Sequence, residues 1–312
     1  MQILVTGGAG FIGSHVCDRL VEAGHNVVAV DNFLLGREAN IAHLAGQPLF
    51  QFEKVDVADS AQLDPIVEAN SFECVFHLAA NSDISRSRDD PSIDFHNTFK
   101  TTYVVLEAMR KARISQIVFA STSAVYGEAP GRIPEDYGPL LPISHYGASK
   151  LASEAYISSY SNNYAIRAWI ARFPNVVGER ATHGAVFDFA KKLKVNRHVL
   201  EVLGNGAQIK PYLHVGDLVT AMLLAWEKMT DPVNVFNVGG TTRTTAKRIA
   251  EIVVEESGSP AQIVYTGGDR GWIGDVPAIE FDTTKITQLG WHPKLDSESA
   301  VRRAAHWIVR NV

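Results

Sequence analysis

The chain has little cysteine: Cys17 and Cys74 are the two in 312 residues. Neither stands in a C-x-x-C pair or beside histidines at ligand spacing, so neither a disulfide framework nor structural zinc is expected, and a reducing cytoplasm fits. Charge of one sign is also scarce. Lys and Arg number 29 against 34 Asp and Glu, a net charge of -5, too mild and of the wrong sign for a general nucleic-acid or anionic-membrane binder. No apolar run is long enough to cross a bilayer; the first, Ile3-Leu4-Val5, breaks into glycines without a basic leader ahead of it. Repeats and low-complexity tracts are missing as well. Histidine is not scarce, but His77, His145, His183 and His214 lie in separate segments without a His-x-x-x-His helix, and no metal site is expected. The tryptophans at 169, 226, 272, 291 and 307 are dispersed rather than interleaved with basic residues, which assigns them to packing and not to base stacking.

What remains is an ordinary globular composition, 46% hydrophobic and 20% charged, in a chain long enough to bury a large core. Strand-like runs alternate with helix-length segments: Gln2 to Thr6, Val27 to Asp31, Leu49 to Val55, Cys74 to Leu78, Ile117 to Ala120 and Ala168 to Ala171. Continuous apolar strands in βαβ rhythm predict an α/β protein with a doubly wound parallel sheet covered on both faces. After about Arg172 the rhythm loosens into Gly- and Pro-punctuated pieces. The reading is a nucleotide-binding domain over 1–171, with segments at about 211–240 returning to it, and a smaller C-terminal α/β lobe over 172–312. Two intimately joined lobes would form a cleft, where ligands usually bind.

Gly7, Gly10 and Gly13 recur at a three-residue spacing between the first strand and a helix expected to start near Phe11. Such a loop turns sharply, brings backbone N–H groups to a pyrophosphate and packs the helix close to the strand, with its N-terminus facing the anion. The next strand ends in Asp31, about 20 residues further on as a dinucleotide fingerprint asks, where a carboxylate accepts a ribose hydroxyl. That is a Rossmann-type signal and favours NAD over NADP, although Arg37 nearby offers a positive charge to a 2′-phosphate.

Tyr146 and Lys150 stand four apart on a predicted helix, on one face. A fixed ammonium favours the phenolate and so prepares a tyrosine for proton transfer. Ahead of them a buried strand ends in Ser121-Thr122-Ser123, a row of hydroxyls where open α/β sheets place their chemistry.

Together, Thr6 to Gly13, Asp31-Asn32, His77 to Ala80, Ser121 to Gly127 and Tyr146 to Lys150 resemble the extended short-chain dehydrogenase/reductases, and more closely the nucleotide-sugar epimerases. Arg172 to Gly178 and Tyr212 to Asp217 resemble that family's substrate-lobe landmarks, so the likeness spans nearly the whole chain. It implies NAD held by Gly7, Gly10, Phe11, Ile12, Gly13, Asp31, Asn32, Asp56, Val57, Leu78, Ala79, Ala80, Asn97, Tyr146 and Lys150. It makes Tyr146 the base, Lys150 its orienting partner and Thr122 the proton relay, with Ser121 kept as the alternative because strands twist at their ends. Ser123, Asn175, Lys210, Arg270, Asp275 and Ile279 become candidates for substrate contact. Two positions depart from the family pattern: Lys210 stands where many relatives have Arg, and Trp272 lies near another expected Arg that Arg270 replaces.

The likeness also sorts the reactions. Sugar-nucleotide 4,6-dehydratases place Asp-Glu directly after the relay Thr and decarboxylating relatives keep the Glu, whereas this chain has Ser123-Ala124. The expected activity is therefore 4-epimerisation of a UDP-hexose through a transient 4-keto sugar. Alternatives are a net-redox nucleotide-sugar reductase or dehydrogenase, a decarboxylase, and a catalytically silent NAD-binding regulator. Ile279, a little after Gly274-Asp275, occupies the place where a bulky Tyr excludes N-acetyl groups in related epimerases, which implies interconversion of UDP-GlcNAc and UDP-GalNAc, with UDP-Glc and UDP-Gal also accepted. Helical segments around Thr98 to Arg110 and Tyr146 to Tyr160 resemble those that pair in the family's homodimers.

Overall fold

Ile3, Leu4 and Val5, each at most 1% exposed, build β1 (Gln2–Thr6) and fill both faces of it, as a strand between two helical layers must. The chain then breaks at glycines, forms α1 (Phe11–Glu22), and returns in parallel as β2 (Asn26–Asp31) and β3 (Phe50–Lys54). Helix α2 (Ser60–Glu68) starts on Asp59, whose side chain accepts the Ala61 N–H, and leads into β4 (Cys74–His77) on the other side of β1. A short α3 (Ser92–Asp94) runs through a π-helical turn at Phe95–Lys100 into α4 (Thr101–Ala112), followed by β5 (Gln116–Ala120). In this computed structural model the residues described are 1–83, 87, 89–268 and 280–312.

Beyond β6 (Arg132–Ile133), α5 (His145–Tyr164) starts on Ser144, whose hydroxyl accepts the Gly147 N–H at 3.1 Å, and β7 (Arg167–Arg172) pairs in parallel with β5. The strand order of the main sheet is β12-β7-β5-β4-β1-β2-β3, with β12 (Val233–Asn237) at one edge. Succession reverses between β1 and β4, the switch point where an open α/β sheet leaves a crevice at its strand ends. The expected doubly wound α/β architecture is thus the observed one, and each strand expected from the sequence lies within two residues of its place. Leu4, Val28, Val75, Ile117 and Phe119 from the sheet share a core with Leu106, Met109 and Ile157 from the helices. Each such side chain, fully buried, contributes roughly 1.5–3 kcal/mol.

Two compact units result: Met1–Gly127, Gly138–Arg172 and Met222–Phe236 make one, and Glu128–Tyr137, Phe173–Ala221 and Asn237–Val312 the other. In the second, β8 (Asn175–Val177) pairs with β11 (Tyr212–His214), β9 (Val199–Val202) with β14 (Gln262–Tyr265) and β6 with β15 (Glu280–Phe281), all in parallel. The pair β10 (Ile209–Lys210) and β13 (Thr244–Thr245) is antiparallel. Between these strands run α6 (Ala185–Val195), α7 (Val215–Lys228), whose second half belongs to the first unit, α8 (Ala246–Ser257), α9 (Thr284–Thr287) and α10 (Ser297–Asn311). Among the described residues no helix is long and apolar enough to cross a membrane.

Candidate active site

The glycine loop is shaped by close backbone approach. Gly7 has φ +70°, and a Cβ there would lie 2.8 Å from the Ala79 nitrogen; at Gly13 a Cβ would lie 2.0 Å from the Gly7 carbonyl oxygen. Only hydrogen fits at either place. Helix α1 begins without a capping side chain at Gly10 and without an acidic residue in its first turn, and the carboxylate that reaches its N-terminal loop comes from outside it. Asp31, 8% exposed, closes the loop from the end of β2: its Oδ2 accepts the Ala9 N–H at 3.1 Å and its Oδ1 the Phe33 N–H at 2.8 Å. Burial raises its pKa, against those backbone bonds. The Arg37 backbone N–H donates to the Ala9 carbonyl at 3.0 Å.

Leu78 and Ala79 are tied to β1 through Thr6: Leu78 N–H donates to its carbonyl at 3.1 Å and Ala79 N–H to its hydroxyl at 3.3 Å. Ala80 follows them, half-buried like both. Asn32 and Asp56 each fold a side chain onto a nearby backbone N–H, of Leu34 and Ala58, at 2.9 Å. Val57 is buried. The Asn97 amide donates to the Ile93 carbonyl at 3.0 Å within the π-helical turn.

At the end of β5 the hydroxyl row divides. Ser121 keeps the ladder, its N–H donating to the Ala171 carbonyl at 2.8 Å, and its hydroxyl donates to Glu154. Thr122 is extended too, so its side chain takes the opposite direction, where it hydrogen-bonds Tyr146 and accepts the Ala124 N–H at 3.2 Å. Ser123 opens the 3-10 turn Ser123–Tyr126 and is half-buried. Thr122, not Ser121, is therefore the hydroxyl joined to Tyr146.

Lys150 is 2% exposed, with its Nζ donating to the Ala120 carbonyl at 2.7 Å and lying 4.6 Å from the Phe119 ring centre and 6.0 Å from that of Tyr146. Burial pushes its pKa down to about 7, resisted by the negative charges of Glu154 and Asp94. The same burial raises the Tyr146 phenol, partly offset by its bond to Thr122 and reinforced by Asp94. His77, fully buried between the hydroxyls of Thr6 (2.7 Å) and Thr102 (3.0 Å), is pushed down to about 3 by burial and then by Lys150, and stays neutral.

Behind the row lies a group that sequence reasoning missed. Arg172 and Glu154, 5% and 6% exposed, meet fork to carboxylate, Nε to Oε1 at 3.0 Å and Nη2 to Oε2 at 2.6 Å, while Arg172 Nη1 donates to the Tyr126 hydroxyl at 2.9 Å. The available signal was Glu154 standing four residues after Lys150. Asp94 was missed as well: it is fully buried, accepts from the Asn81 amide at 2.8 Å through Oδ1, and no local pattern marked it.

Of the substrate candidates in the second unit, Asn175 is exposed at the start of β8 beside Tyr212, and Lys210 is half-buried on β10 opposite Thr244. Arg270, Trp272, Gly274, Asp275 and Ile279 lie outside the described residues.

Residues 3–239 match the model of the NAD dependent epimerase/dehydratase family. A putative UDP-glucose 4-epimerase of Methanocaldococcus jannaschii is 35% identical, with 99% of each chain covered. A crystal structure of a UDP-galactose 4-epimerase superposes with a TM-score of 0.89 at 37% identity, over 100% of both chains. That of the UDP-Glc/GlcNAc 4-epimerase of Campylobacter jejuni gives 0.85 at 27% identity, covering 100% of this chain and 99% of the other. The chain belongs to the NAD dependent epimerase/dehydratase family.

The cofactor of this epimerase/dehydratase is NAD, and the residues present fit it. A Cβ would fill the cradle at Gly7 and Gly13, and the Asp31 carboxylate stands at the end of β2 against the loop.

Proposed function

We propose that this protein is a UDP-hexose 4-epimerase, and the observation that carries the reading is the pairing of the Thr122 hydroxyl with Tyr146, with the buried Lys150 Nζ 6.0 Å from the Tyr146 ring and no acid at position 124. Bound NAD would supply the acceptor and donor for the hydride at the sugar C4. Tyr146 removes the proton from the C4 hydroxyl oxygen, with Thr122 bridging sugar and phenol, and gives it back on return. Lys150 is held by the Ala120 carbonyl, and in its protonated form it favours the phenolate against the burial that raises the phenol. A dehydratase needs a further acid and base next to the relay; Ser123-Ala124 offers neither. Epimerisation needs neither. The backbone of Gly7, Gly10, Phe11, Ile12 and Gly13 would take the cofactor pyrophosphate, Asp31 and Asn32 its ribose, and Asp56 and Val57 its adenine side. Leu78, Ala79, Ala80 and Asn97 would line it, and Ser123, Asn175, Lys210, Arg270 and Asp275 the nucleotide sugar. Incubation with UDP-sugars and no added cofactor, followed by NMR of the products, tests this: a mixture of C4 epimers is expected, and a single unconverted or oxidised sugar would contradict it.

The resemblance puts Ile279 where a bulky Tyr excludes N-acetyl groups in related epimerases, and on that ground UDP-GlcNAc and UDP-GalNAc are included among the proposed substrates. The UDP-Glc/GlcNAc 4-epimerase relative supports this breadth. Ile279→Tyr should lower kcat/KM for the acetylated pair selectively; an equal loss on both pairs would remove Ile279 as the gate.

The active form we propose is a cytoplasmic homodimer. Phe95, Tyr103, Tyr156 and Tyr164 are 42–51% exposed on the π-helical turn, α4 and α5; Phe99 joins Phe95 to Tyr156, its ring 6.0 Å from the first and 5.1 Å from the second, and Tyr103 meets Tyr156 at 6.2 Å. An aromatic patch of this kind on a soluble enzyme calls for a partner surface. Sedimentation should give a dimer at micromolar concentration, and a monomer would exclude it.

A further inference from the structure

Buried charge that the proton-transfer reading leaves unused is concentrated behind the hydroxyl row. One carboxylate, Glu154, takes the Arg172 fork through both oxygens and the Ser121 hydroxyl through one of them. A buried ion pair is weak grounds for stability, because desolvation of both charges offsets their attraction. Its placement points to another use. Ser121 and Thr122 are successive extended residues, so the bond that draws the Ser121 hydroxyl to Glu154 also directs the Thr122 hydroxyl the other way, to Tyr146. One residue earlier, the Ala120 carbonyl receives Lys150. Both groups that position the tyrosine and lysine thus sit on a strand end whose anchor is Glu154, and Glu154 lies one helical turn beyond Lys150 on α5.

We propose that Glu154 is a positioning residue for the Tyr146, Lys150 and Thr122 cluster. Clamped between Arg172 and Ser121, it fixes the strand end that presents Thr122 and the Ala120 carbonyl, and it sets a negative charge beside the Lys150 ammonium. This rests on the epimerase reading for its effect on turnover, but its effect on Lys150 does not. The other titratable groups facing Lys150 are Tyr146 on α5, His77 on β4 and Asp94 at the end of α3, with His77 neutral and Asp94 hydrogen-bonded to Asn81. Glu154→Gln keeps the shape and removes the charge, and Ser121→Ala keeps every charge and removes the anchor, so the two roles separate.

The test is an NMR titration of labelled lysine Cε, with the Lys150 signal assigned by Lys150→Arg, alongside steady-state kinetics on UDP-glucose. In Glu154→Gln the Lys150 midpoint should fall by about one pH unit, and in Ser121→Ala it should stay. Both variants should lose about tenfold in kcat with KM held within about twofold. An unmoved Lys150 midpoint in Glu154→Gln, or an undiminished kcat in Ser121→Ala, overturns the proposal, since a merely structural pair predicts both. Should Glu154→Gln fail to fold, Glu154→Asp keeps the charge but shortens the reach: a lower kcat with an unmoved midpoint is expected, and an unchanged kcat refutes the anchor. If wild-type protein converts no UDP-sugar, the functional reading falls and the titration still decides the electrostatic role.

Discussion

The glycine loop and the β5–α5 cluster are built from opposite materials. In the loop the working parts are backbone N–H groups and missing side chains, with one carboxylate to close it. The cluster consists of ionisable side chains, buried Lys150, Glu154 and Arg172 with half-buried Tyr146, of which Glu154 and Arg172 hold each other and Lys150 is held by the Ala120 carbonyl. A site of the first kind is compatible with stability, because its close packing also satisfies the fold. The second kind opposes stability, because ions are held out of water, as the proposed proton transfer requires. Substitutions should therefore cost both stability and function in the loop, and trade one for the other at Tyr146 and Lys150.

The largest effect expected is on turnover alone. Tyr146→Phe removes the proton-transfer oxygen and keeps the ring, and should lower kcat roughly a thousandfold with the melting temperature unchanged or raised. An active Tyr146→Phe would break the comparison at its functional end. Next is Gly13→Ala, whose Cβ must displace the Gly7 carbonyl from 2.0 Å. It should destabilise the fold by about 1–3 kcal/mol and lose NAD, which the wild type should retain through purification, read as nucleotide freed on denaturation. A variant of full stability with NAD still bound would show that the loop tolerates a side chain.

The smaller, sharper contrast is Lys150→Met. The lysine pKa falls from 10.5 to about 7 in the fold, a penalty on the order of 5 kcal/mol. Losing the Ala120 carbonyl's partner costs about 1–3 kcal/mol. The variant should therefore be inactive yet more stable than wild type by roughly 2 kcal/mol at neutral pH. The sign follows from proton counts. Between about 7 and 10.5 the unfolded chain holds the lysine proton that the folded chain has released, so wild-type stability rises with pH there and the advantage of Lys150→Met fades. Denaturant melts at pH 7 and pH 10 check it; a variant less stable than wild type at pH 7 would mean that the buried ammonium supports the fold.

The same difference in materials explains what could be read from the sequence. Gly7, Gly10, Gly13 and Asp31 carry their meaning in local spacing, and Tyr146 and Lys150 carry theirs in one helical turn. Which way the Ser121 and Thr122 hydroxyls face depends on whether the strand continues past Ala120, and the Ser121 to Ala171 ladder bond shows that it does. Glu154 and Arg172 meet from different elements, and Asp94 reaches the cluster from a three-residue helix, so no window of sequence contains either relation. In the second unit the strands β6, β10, β13 and β15 are two residues long, too short for periodicity, and β6 at 132 finds β15 only at 280.

The most direct test of the central claim follows a label. UDP-glucose carrying deuterium at C4, given to the protein without added cofactor, should yield UDP-galactose that keeps the deuterium at C4, because the hydride removed is the hydride returned. Recovery of the epimer with that deuterium lost to solvent, or of an oxidised sugar in place of the epimer, would contradict it.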